Sequence, residues 1–250
     1  WIASDGQGAV IYAKKYAIAT NLMLNRISTE LSRQVRSVMT DKYGGLWFGT
    51  KGDGLIHVPE YQDDLTSSAS KAIVYAPGKR VKASSYVKWD EEFHVYKLEQ
   101  SRYMDGFWIG AGNPGLFYYS FKDDALHPVE NPSGQPAIDV HDIYEENDTT
   151  LYVVTAGVGF YKMILEKKAG YVRIKEQKRY HFFYEQKEIA MFFPMLAEGD
   201  SLLWLGSRER GLVRFDKRTE EYRVISLKEM LHRSVDDILS LHRDHEGKMY

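Results

Sequence analysis

Residues 46–55 read Leu46-Trp47-Phe48-Gly49-Thr50-Lys51-Gly52-Asp53-Gly54-Leu55, and this phrase recurs along the chain. It returns as Trp108-Ile109-Gly110-Ala111 with Gly115-Leu116, and as Trp204-Leu205-Gly206-Ser207 with Gly211-Leu212. Weaker copies begin at Trp1 and Tyr152, and a last one ends at Tyr250. The aromatic anchors at 1, 47, 108, 152, 204 and 250 are separated by 46, 61, 44, 52 and 46 residues. Periods of this size are typical of β-propellers, in which each repeat is one four-stranded blade.

Residues 35–58 predict three antiparallel strands of one blade. A β-rich run ends at Asp41, and Gly44 follows three residues later, which is a turn signal because Asp bonds the backbone ahead of it and Gly tolerates positive φ. The strand that contains Trp47 returns from this turn, and a second tight turn at 51–54 leads into the next strand. In a blade, the indole of Trp47 would fill the space between two sheets, and Gly49 would allow close backbone approach.

We therefore expect an all-β fold, a β-propeller segment of about five four-stranded blades that covers residues 1–250 as part of a longer protein. The segment 59–89 lengthens one period with the polar stretch 62–70, which predicts an exposed loop, and 227–232 has the spacing of a short helix. The predicted strands lie near 1–4, 9–13, 16–22, 35–40, 46–50, 54–59, 72–76, 93–100, 107–111, 115–121, 125–129, 138–145, 150–155, 158–165, 171–180, 191–197, 202–206, 211–216, 221–226, 236–243 and 248–250.

Composition excludes several classes of function. The chain has 33 basic and 35 acidic residues and a formal net charge of −2, which gives no reason to expect nucleic acid or anionic lipid as a partner. No apolar run is long enough to span a membrane. The chain contains no Cys, which excludes disulfides and thiol chemistry.

The repeat resembles the two-component regulator propeller repeat, whose consensus runs as a strand, Asp, two variable residues, Gly, Leu-Trp-Ile-Gly-Thr, a short turn and Gly-Gly-Leu. Residues 35–55 match almost throughout, whereas Ala111 and Ser207 replace the Thr in two copies and the copy at Tyr152 lacks the Trp and the first Gly. Such repeats build the periplasmic sensor region of Bacteroides-type hybrid two-component histidine kinases. The resemblance implies an oligosaccharide ligand, a homodimer, neighbouring blades and a β-sandwich in the parent chain, and control of carbohydrate-utilisation genes by a parent kinase and transcription regulator. It implies contact with a membrane only through that parent chain.

In a propeller, the turns between second and third strands gather at one end with the loops that enter the innermost strands, and ligands usually bind there. Arg suits acidic sugars because its guanidinium is bidentate, and an aromatic face can stack on a sugar ring. Arg208, Arg210 and Asn113 are the preferred ligand-binding candidates, with Arg36, Lys51, Asp53 and Trp89 as further ones. Each of these turn residues has an alternative interpretation as a solvated side chain, and Trp89 with Tyr86 as packing of the insertion. The same end would also display Gln34, His141, Glu209 and Arg233.

Other chemistry is less well supported by the residues. His242 and His245 on one strand would point to opposite faces, so they predict no metal site. The acids belong to turns or strand ends, which gives no pair for glycoside hydrolysis, and no phosphate-binding loop is present. We therefore expect a non-catalytic segment without cofactor or metal. The alternative function is a protein-binding scaffold, for which residues 184–193 could supply an apolar cluster, although the period assigns most of them to an innermost strand.

Overall fold

The computed structural model describes residues 2–4, 8–13, 18–32, 34–59, 69–131, 139–168, 171–208, 210–228 and 236–250, with side chains described from residue 23 onward except at Ala69. The described residues form 22 strands and three short 3-10 helices. They contain no helix that is long and apolar enough to cross a membrane. The chain divides into two compact units, Trp1–Pro128 and Val129–Tyr250, and each is described by itself.

Unit Trp1–Pro128 contains three antiparallel sheets whose strands follow one another in sequence order, as expected for propeller blades. The innermost strand β4 of the second sheet lies against the innermost strand β9 of the third. Short 3-10 helices span Leu24–Arg26, Ala69–Lys71 and Ala83–Ser85. The strands are β1 (Ile2–Ser4), β2 (Gly8–Ala13) and β3 (Ile18–Leu22); β4 (Val35–Thr40), β5 (Leu46–Thr50), β6 (Leu55–Val58), β7 (Ile73–Ala76) and β8 (Lys79–Lys82); and β9 (Val95–Gln100), β10 (Gly106–Ala111), β11 (Leu116–Ser120) and β12 (Ala125–Pro128).

Unit Val129–Tyr250 contains two four-stranded sheets of the same order and a separate hairpin. Its innermost strands β13 and β19 also lie side by side. The strands are β13 (Val140–Glu145), β14 (Thr150–Thr155), β15 (Phe160–Lys168) and β16 (Tyr171–Tyr180); the hairpin β17 (Phe182–Tyr184) and β18 (Lys187–Ile189); and β19 (Phe192–Glu198), β20 (Leu202–Ser207), β21 (Leu212–Asp216) and β22 (Tyr222–Ile225). The expectation of an all-β propeller segment is confirmed.

Two of the aromatic anchors, Trp47 and Tyr152, are wedges between sheets, as the repeat predicts. Trp47 is fully buried, and its ring centroid lies 4.9 Å from that of Phe107 and 4.6 Å from that of Tyr119, both on the next sheet. In the second unit, Tyr152 occupies the same position, in one core with Phe160 of its own sheet and Phe215 of the next. Burial of these large apolar surfaces is the main term that holds neighbouring sheets together.

In four repeats an acidic residue six positions before the aromatic anchor interacts with the side chain of that anchor. Asp41 accepts hydrogen bonds from the backbone N–H of Tyr43 and Gly45, both at 2.8 Å, and from the indole N–H of Trp47 at 2.6 Å. Glu198 accepts from the Trp204 indole at 2.8 Å, and Asp244 accepts from the hydroxyl of Tyr250 at 3.0 Å. Burial raises the pKa of the hydroxyl of Tyr152, and a hydrogen bond to Glu146 adds to this effect. In four repeats the acid therefore orients the aromatic residue, and Asp41 and Asp244 also close the turn through backbone N–H groups.

The structure differs from the predicted strands in three places. The insertion at 59–89 adds an unpredicted strand, β8, to the sheet that begins with β4. Most of 184–193 was predicted as an innermost strand, but β17 and β18 form a hairpin there and β19 begins only at Phe192. The strands predicted at 236–243 and 248–250 are wrong, since the described residues there form only the isolated bridge between Arg243 and Met249.

Physical reasons account for the last two differences. Glu185 and Gln186 both have positive φ, 47° and 65°, which makes the tight turn of the unpredicted hairpin. The segments around Arg243 and Met249 meet in a single bridge with no third strand beside them among the described residues, and so short a pairing supports no regular strand. The predicted loop at 62–70 and the predicted helix at 227–232 lie largely outside the described residues.

His57 gives a pH-dependent contribution to stability that is open to measurement. Its ring stacks on that of Trp47, with centroids 3.8 Å apart, and burial lowers the pKa of His57 to about 4 despite the nearby Asp41. An unfolded His titrates at about pH 6.5, so the unfolded chain binds more protons between this value and the pKa of folded His57. The folded state therefore loses stability as the pH falls through that window. We expect the urea midpoint of His57→Gln to fall less than that of the wild type between pH 7 and about 4.5. Parallel pH profiles for the two proteins would contradict this assignment.

Candidate functional site

The turn after the second strand of a sheet has the same hydrogen bonds in three repeats. Thr50 donates to the carbonyl of Gly54 from its backbone N–H at 3.0 Å and from its hydroxyl at 2.8 Å. Thr155 bonds Gly159 in the same way, at 3.0 and 2.9 Å, and Ser207 bonds Gly211 at 3.0 and 2.8 Å. Ala111 keeps only the backbone bond, to Gly115 at 2.7 Å. The hydroxyl of the Thr or Ser therefore closes the turn through the carbonyl of the Gly. The side chains of the residues between them are not needed for this bond and can vary.

Each turn is also tied to the segment that enters its own innermost strand. The backbone N–H of the residue after the Thr, Ser or Ala donates to the carbonyl of the residue before that strand. The pairs are Lys51 to Gln34 at 3.0 Å, Gly112 to His94 at 3.1 Å, Ala156 to Asp139 at 3.0 Å and Arg208 to Met191 at 3.1 Å. We call this end of each unit the loop face; its turns are 51–54 and 112–115 in the first unit and 156–159 and 208–211 in the second. Its backbone is held rigidly, and its side chains differ from turn to turn.

Lys51 and Asn113 are exposed in the turns of the first unit, as the repeat predicts for candidate binding residues. Arg36 is exposed on β4, directly after Gln34 and Val35. Lys51 and Arg36 come from segments joined by the hydrogen bond between Lys51 N–H and the Gln34 carbonyl. This part of the loop face therefore brings two cations to neighbouring segments.

Asp53 lies in the same turn as Lys51 but is only 1% exposed. Its carboxylate accepts from the backbone N–H of Ser32 at 2.6 Å and from the hydroxyl of Tyr86 at 2.9 Å. Burial raises the pKa of the Tyr86 hydroxyl, and the bond to Asp53 adds to this effect. The geometry thus gives Asp53 a structural task, because it ties two loop segments to the turn.

Trp89 is half-buried and packs against both apolar cores of the first unit. Its ring lies edge-on to that of Tyr86 at 5.1 Å, and the ammonium of Lys79 lies 5.5 Å from its centroid. Most of its surface is thus used to pack the insertion onto its own sheet. The exposed part of the Trp89 ring remains available to a ligand.

The turn 208–211 of the second unit presents Arg208, which is exposed, and Arg210, which is half-buried. The guanidinium of Arg208 lies 3.9 Å from the sulfur of Met191. Among the described residues this thioether is its partner, and no carboxylate is. Glu209 and Arg233, also predicted to lie near this end, are outside the described residues.

Sequence reasoning missed one recurrent feature of the loop face, a β-bulge in every innermost strand from β4 onward that the structure describes. Val35 pairs with Thr50 and Ser37 with Gly49, so Arg36 is left between them as the extra residue. The same shift extrudes Tyr96 from β9 and His141 from β13. In β19 the shift falls between Phe192 and Met195, where two residues face Gly206 alone. Pro194 packs against Gly206, so Phe193 is the extra residue. Bulges commonly re-aim a side chain beside a functional site.

A spacing signal for these residues exists in the sequence. The bulged residue lies eleven positions before the aromatic anchor at Arg36, His141 and Phe193, and twelve before it at Tyr96. The same spacing before Tyr250 marks Leu239, which is 69% exposed. Arg36 and His141 were predicted to lie at this end from their loops, whereas Tyr96 and Phe193 were not.

Two surface cavities lie among strands and turns outside the loop face. One of about 320 Å³ is lined by Lys162, Ile164, Glu176, Gln177, Lys178 and Glu220, and one of about 230 Å³ by residues that include Arg80 and Asp124. In the first, Glu220 pairs with Lys178 and accepts from the Tyr180 hydroxyl at 2.8 Å. In the second, Asp124 pairs with Arg80 at 2.6 Å and accepts from the Tyr75 hydroxyl at 2.7 Å. Their charged groups are satisfied internally, so we place the candidate site at the loop face.

Comparison with solved structures shows the same fold. The chain is 14% identical to the extracellular domain of the one-component system BT4673 of B. thetaiotaomicron. The match covers 96% of this chain and 33% of that domain, with a TM-score of 0.67. For the extracellular domain of the hybrid two-component system BT3049 of the same organism, the identity is 17%, the coverage 86% and 27%, and the TM-score 0.58. PorZ of Porphyromonas gingivalis, a surface component of the type-IX secretion system, is 11% identical over 99% of this chain and 36% of its own, with a TM-score of 0.61.

The chain thus spans about a third or less of the length of these structures. A comparison with curated protein sequences gave no significant match. The family model of the two-component regulator propeller matches residues 29–52, the part of the chain that contains β4, the Asp41 turn and β5. The chain is therefore a β-propeller segment in which residues 29–52 match the two-component regulator propeller repeat.

Proposed function

We propose that this segment belongs to the extracytoplasmic, periplasmic sensor region of a bacterial two-component signal-transduction protein, and that it binds an oligosaccharide without catalysis. The observation that carries the proposal is the loop face of each unit, where a constant backbone framework presents exposed Lys51 and Asn113 in the first unit and exposed Arg208 in the second. Side chains that donate hydrogen bonds from a rigid support suit the recognition of ligand hydroxyl and carboxylate groups. The extracellular location of two structural neighbours supports the proposed compartment.

In this proposal, signalling is a change in how neighbouring propeller domains, or two protomers, pack against each other. A ligand at the loop face favours one arrangement of neighbouring propeller domains or of two protomers, and its differential affinity for that arrangement shifts the equilibrium. The parent kinase and transcription regulator then convert the shift into expression of carbohydrate-utilisation genes. The described residues contain no group of His, Asp and Glu placed to hold a metal ion, and the mechanism requires none.

A glycan array probed with the complete extracytoplasmic region tests the proposal. We expect capture of one class of oligosaccharide, and we expect Lys51→Ala and Arg208→Ala each to weaken binding about tenfold, since a charge-assisted hydrogen bond is worth roughly 1.5–3 kcal/mol. Arg218→Ala is the matched control, because Arg218 is exposed in the turn between β21 and β22 at the other end of the same sheet. Binding lost equally in all three variants, or no binding of any glycan, would contradict the proposal.

A second function, that of a protein-binding scaffold, is favoured by one aromatic patch. Phe183 on the β17–β18 hairpin is 50% exposed and Tyr222 on β22 is 40% exposed, and the hydroxyl of Tyr222 accepts from the Phe183 backbone N–H at 3.0 Å. Exposed aromatic pairs of this kind are frequent anchors of protein interfaces. Absence of glycan binding together with a stoichiometric protein complex that is lost in Phe183→Ala would favour this function.

A further inference from the structure

Resting on the proposed function, we propose that the bulged residues of the innermost strands select the ligand, and that His141, Phe193 and Arg208 bind a sugar ring that carries a carboxylate. The bulged residues are Arg36, Tyr96, His141 and Phe193. The proposal concerns the second unit, where two of them are in contact.

The first step is the contrast between constant and variable positions in the repeat. The residue before each bulge is buried and apolar in all four strands: Val35, Val95, Val140 and Phe192. The bulged residue itself is half-buried or exposed in all four. It is a guanidinium, a phenol, an imidazole and a phenyl ring in turn, so the fold does not require any one chemistry there. A position whose backbone is fixed by the fold and whose side chain can vary is suited to determine ligand specificity.

The second step is the rigidity of the pair in the second unit. The rings of His141 and Phe193 meet edge to face, with centroids 5.0 Å apart and planes at 86°. Asp142, the next residue after His141, accepts from the backbone N–H of Met195 at 2.8 Å and so ties β13 to β19 directly beside the pair. Gly206 allows Pro194 to pack against β20, since a Cβ there would lie 2.5 Å from the ring of Pro194. The two aromatic side chains are therefore held before any ligand arrives, which reduces the entropy that binding costs.

The third step is a cation on the turn that is hydrogen-bonded to the segment entering β19. Arg208 donates its backbone N–H to Met191, which lies two residues before Phe193, and its guanidinium rests near the Met191 sulfur. A thioether is a weak acceptor, so the guanidinium gives up little when a carboxylate replaces it. One small region of the loop face thus combines an apolar ring, an imidazole and an arginine fork.

This combination matches the chemistry of a uronic acid. The C–H face of a pyranose ring packs on a phenyl ring, the imidazole exchanges hydrogen bonds with ring hydroxyls, and a carboxylate accepts two parallel bonds from Arg. A neutral sugar would leave the arginine without its bidentate partner. Acidic oligosaccharides should therefore bind in preference to neutral ones of the same length.

The experiment is calorimetric titration of the complete extracytoplasmic region with oligosaccharides of uronic acids, with their methyl esters, and with neutral xylan, mannan and arabinan fragments. We expect binding of a uronic-acid oligosaccharide, at least a tenfold loss on methyl esterification, and a similar loss in Phe193→Ala, His141→Ala and Arg208→Ala. Arg208→Lys should lie between the wild type and Arg208→Ala, because it keeps the charge and loses the fork.

Tyr171→Ala is the matched control, since Tyr171 is an exposed aromatic residue of the same unit that pairs with Lys168 at the end of β16 away from the loop face. Unchanged urea midpoints verify that each variant is folded. Glycan binding that survives in both Phe193→Ala and His141→Ala would overturn the inference and leave the proposed function intact. Tighter binding of a neutral fragment would overturn the assignment of a carboxylate. Absence of binding to every oligosaccharide would overturn the proposed function itself.

Discussion

Trp47→Ala is expected to lower the free energy of unfolding by about 3–5 kcal/mol, the usual cost of truncating a large buried aromatic residue. Trp47 is fully buried between two sheets, where it contacts Phe107, Tyr119 and the stacked ring of His57. Its removal opens a cavity at that interface and deprives the buried Asp41 of its indole partner. Urea unfolding of the full chain, followed by far-UV circular dichroism, measures the loss.

Trp204→Ala is the control for this change. Trp204 has the same place in the repeat and the same kind of hydrogen bond, to Glu198 at 2.8 Å, but it is only half-buried. We therefore expect a distinctly smaller loss of stability. Equal losses at the two positions would show that the hydrogen bond, and not the wedge between sheets, supplies the stabilisation.

Gly54→Ala is expected to destabilise the chain by roughly 2 kcal/mol more than Gly44→Ala, the size of an overpacking penalty. The two glycines have almost the same backbone conformation, with φ of +84° and +83°, so the strain of placing alanine in the left-handed region is matched. A Cβ on Gly44 would meet no atom within 4 Å, whereas one on Gly54 would collide with the carbonyl oxygen of Tyr75 on β7 and lie 3.3 Å from the ring of Phe93. Urea midpoints of the two variants give the difference directly.

Similar losses in the two variants would mean that β7 moves away from the turn at little cost. In that case the close approach of β6 and β7 at this end would not constrain the loop face. A larger loss at Gly54 would show that this glycine is required for packing as well as for its backbone conformation.

The architecture was predictable because its determinants are local. The Asp41 turn, the Trp47 anchor and the Gly49 contact all lie within nine residues, and each has a distinct amino-acid preference. The structure shows the reason for each preference: Asp41 bonds two backbone N–H groups, Trp47 fills the gap between sheets, and a Cβ on Gly49 would lie 2.6 Å from Val95 on the next sheet.

What the sequence did not reveal depends on non-local pairing or on unusual backbone conformations. Glu185 and Gln186 are not residues that normally favour positive φ, so their tight turn and the hairpin around it gave no signal. The bulges arise from register between strands, which a single strand does not show.

The candidate binding residues were predictable only as positions. The turn pattern placed Lys51 and Asn113 at the loop face of the first unit and Arg208 at that of the second, because the turn chemistry fixes where the chain reverses. It could not distinguish Asp53 from Lys51, although the first is buried in hydrogen bonds to Ser32 and Tyr86 and the second is exposed. That distinction depends on segments 21 and 33 residues away in the chain.

The bond between an acid and the aromatic residue six positions later has a consequence for how such a chain acquires its structure. Because both partners lie in one hairpin, a single repeat can close its turn and set the angle of its ring before any distant part of the chain has collapsed. Contacts of such short range form fast, so assembly can start at any of several hairpins and spread to adjacent ones. A gene encoding such units can lengthen by duplication, because a copy that carries both the acid and the aromatic residue orients its own ring.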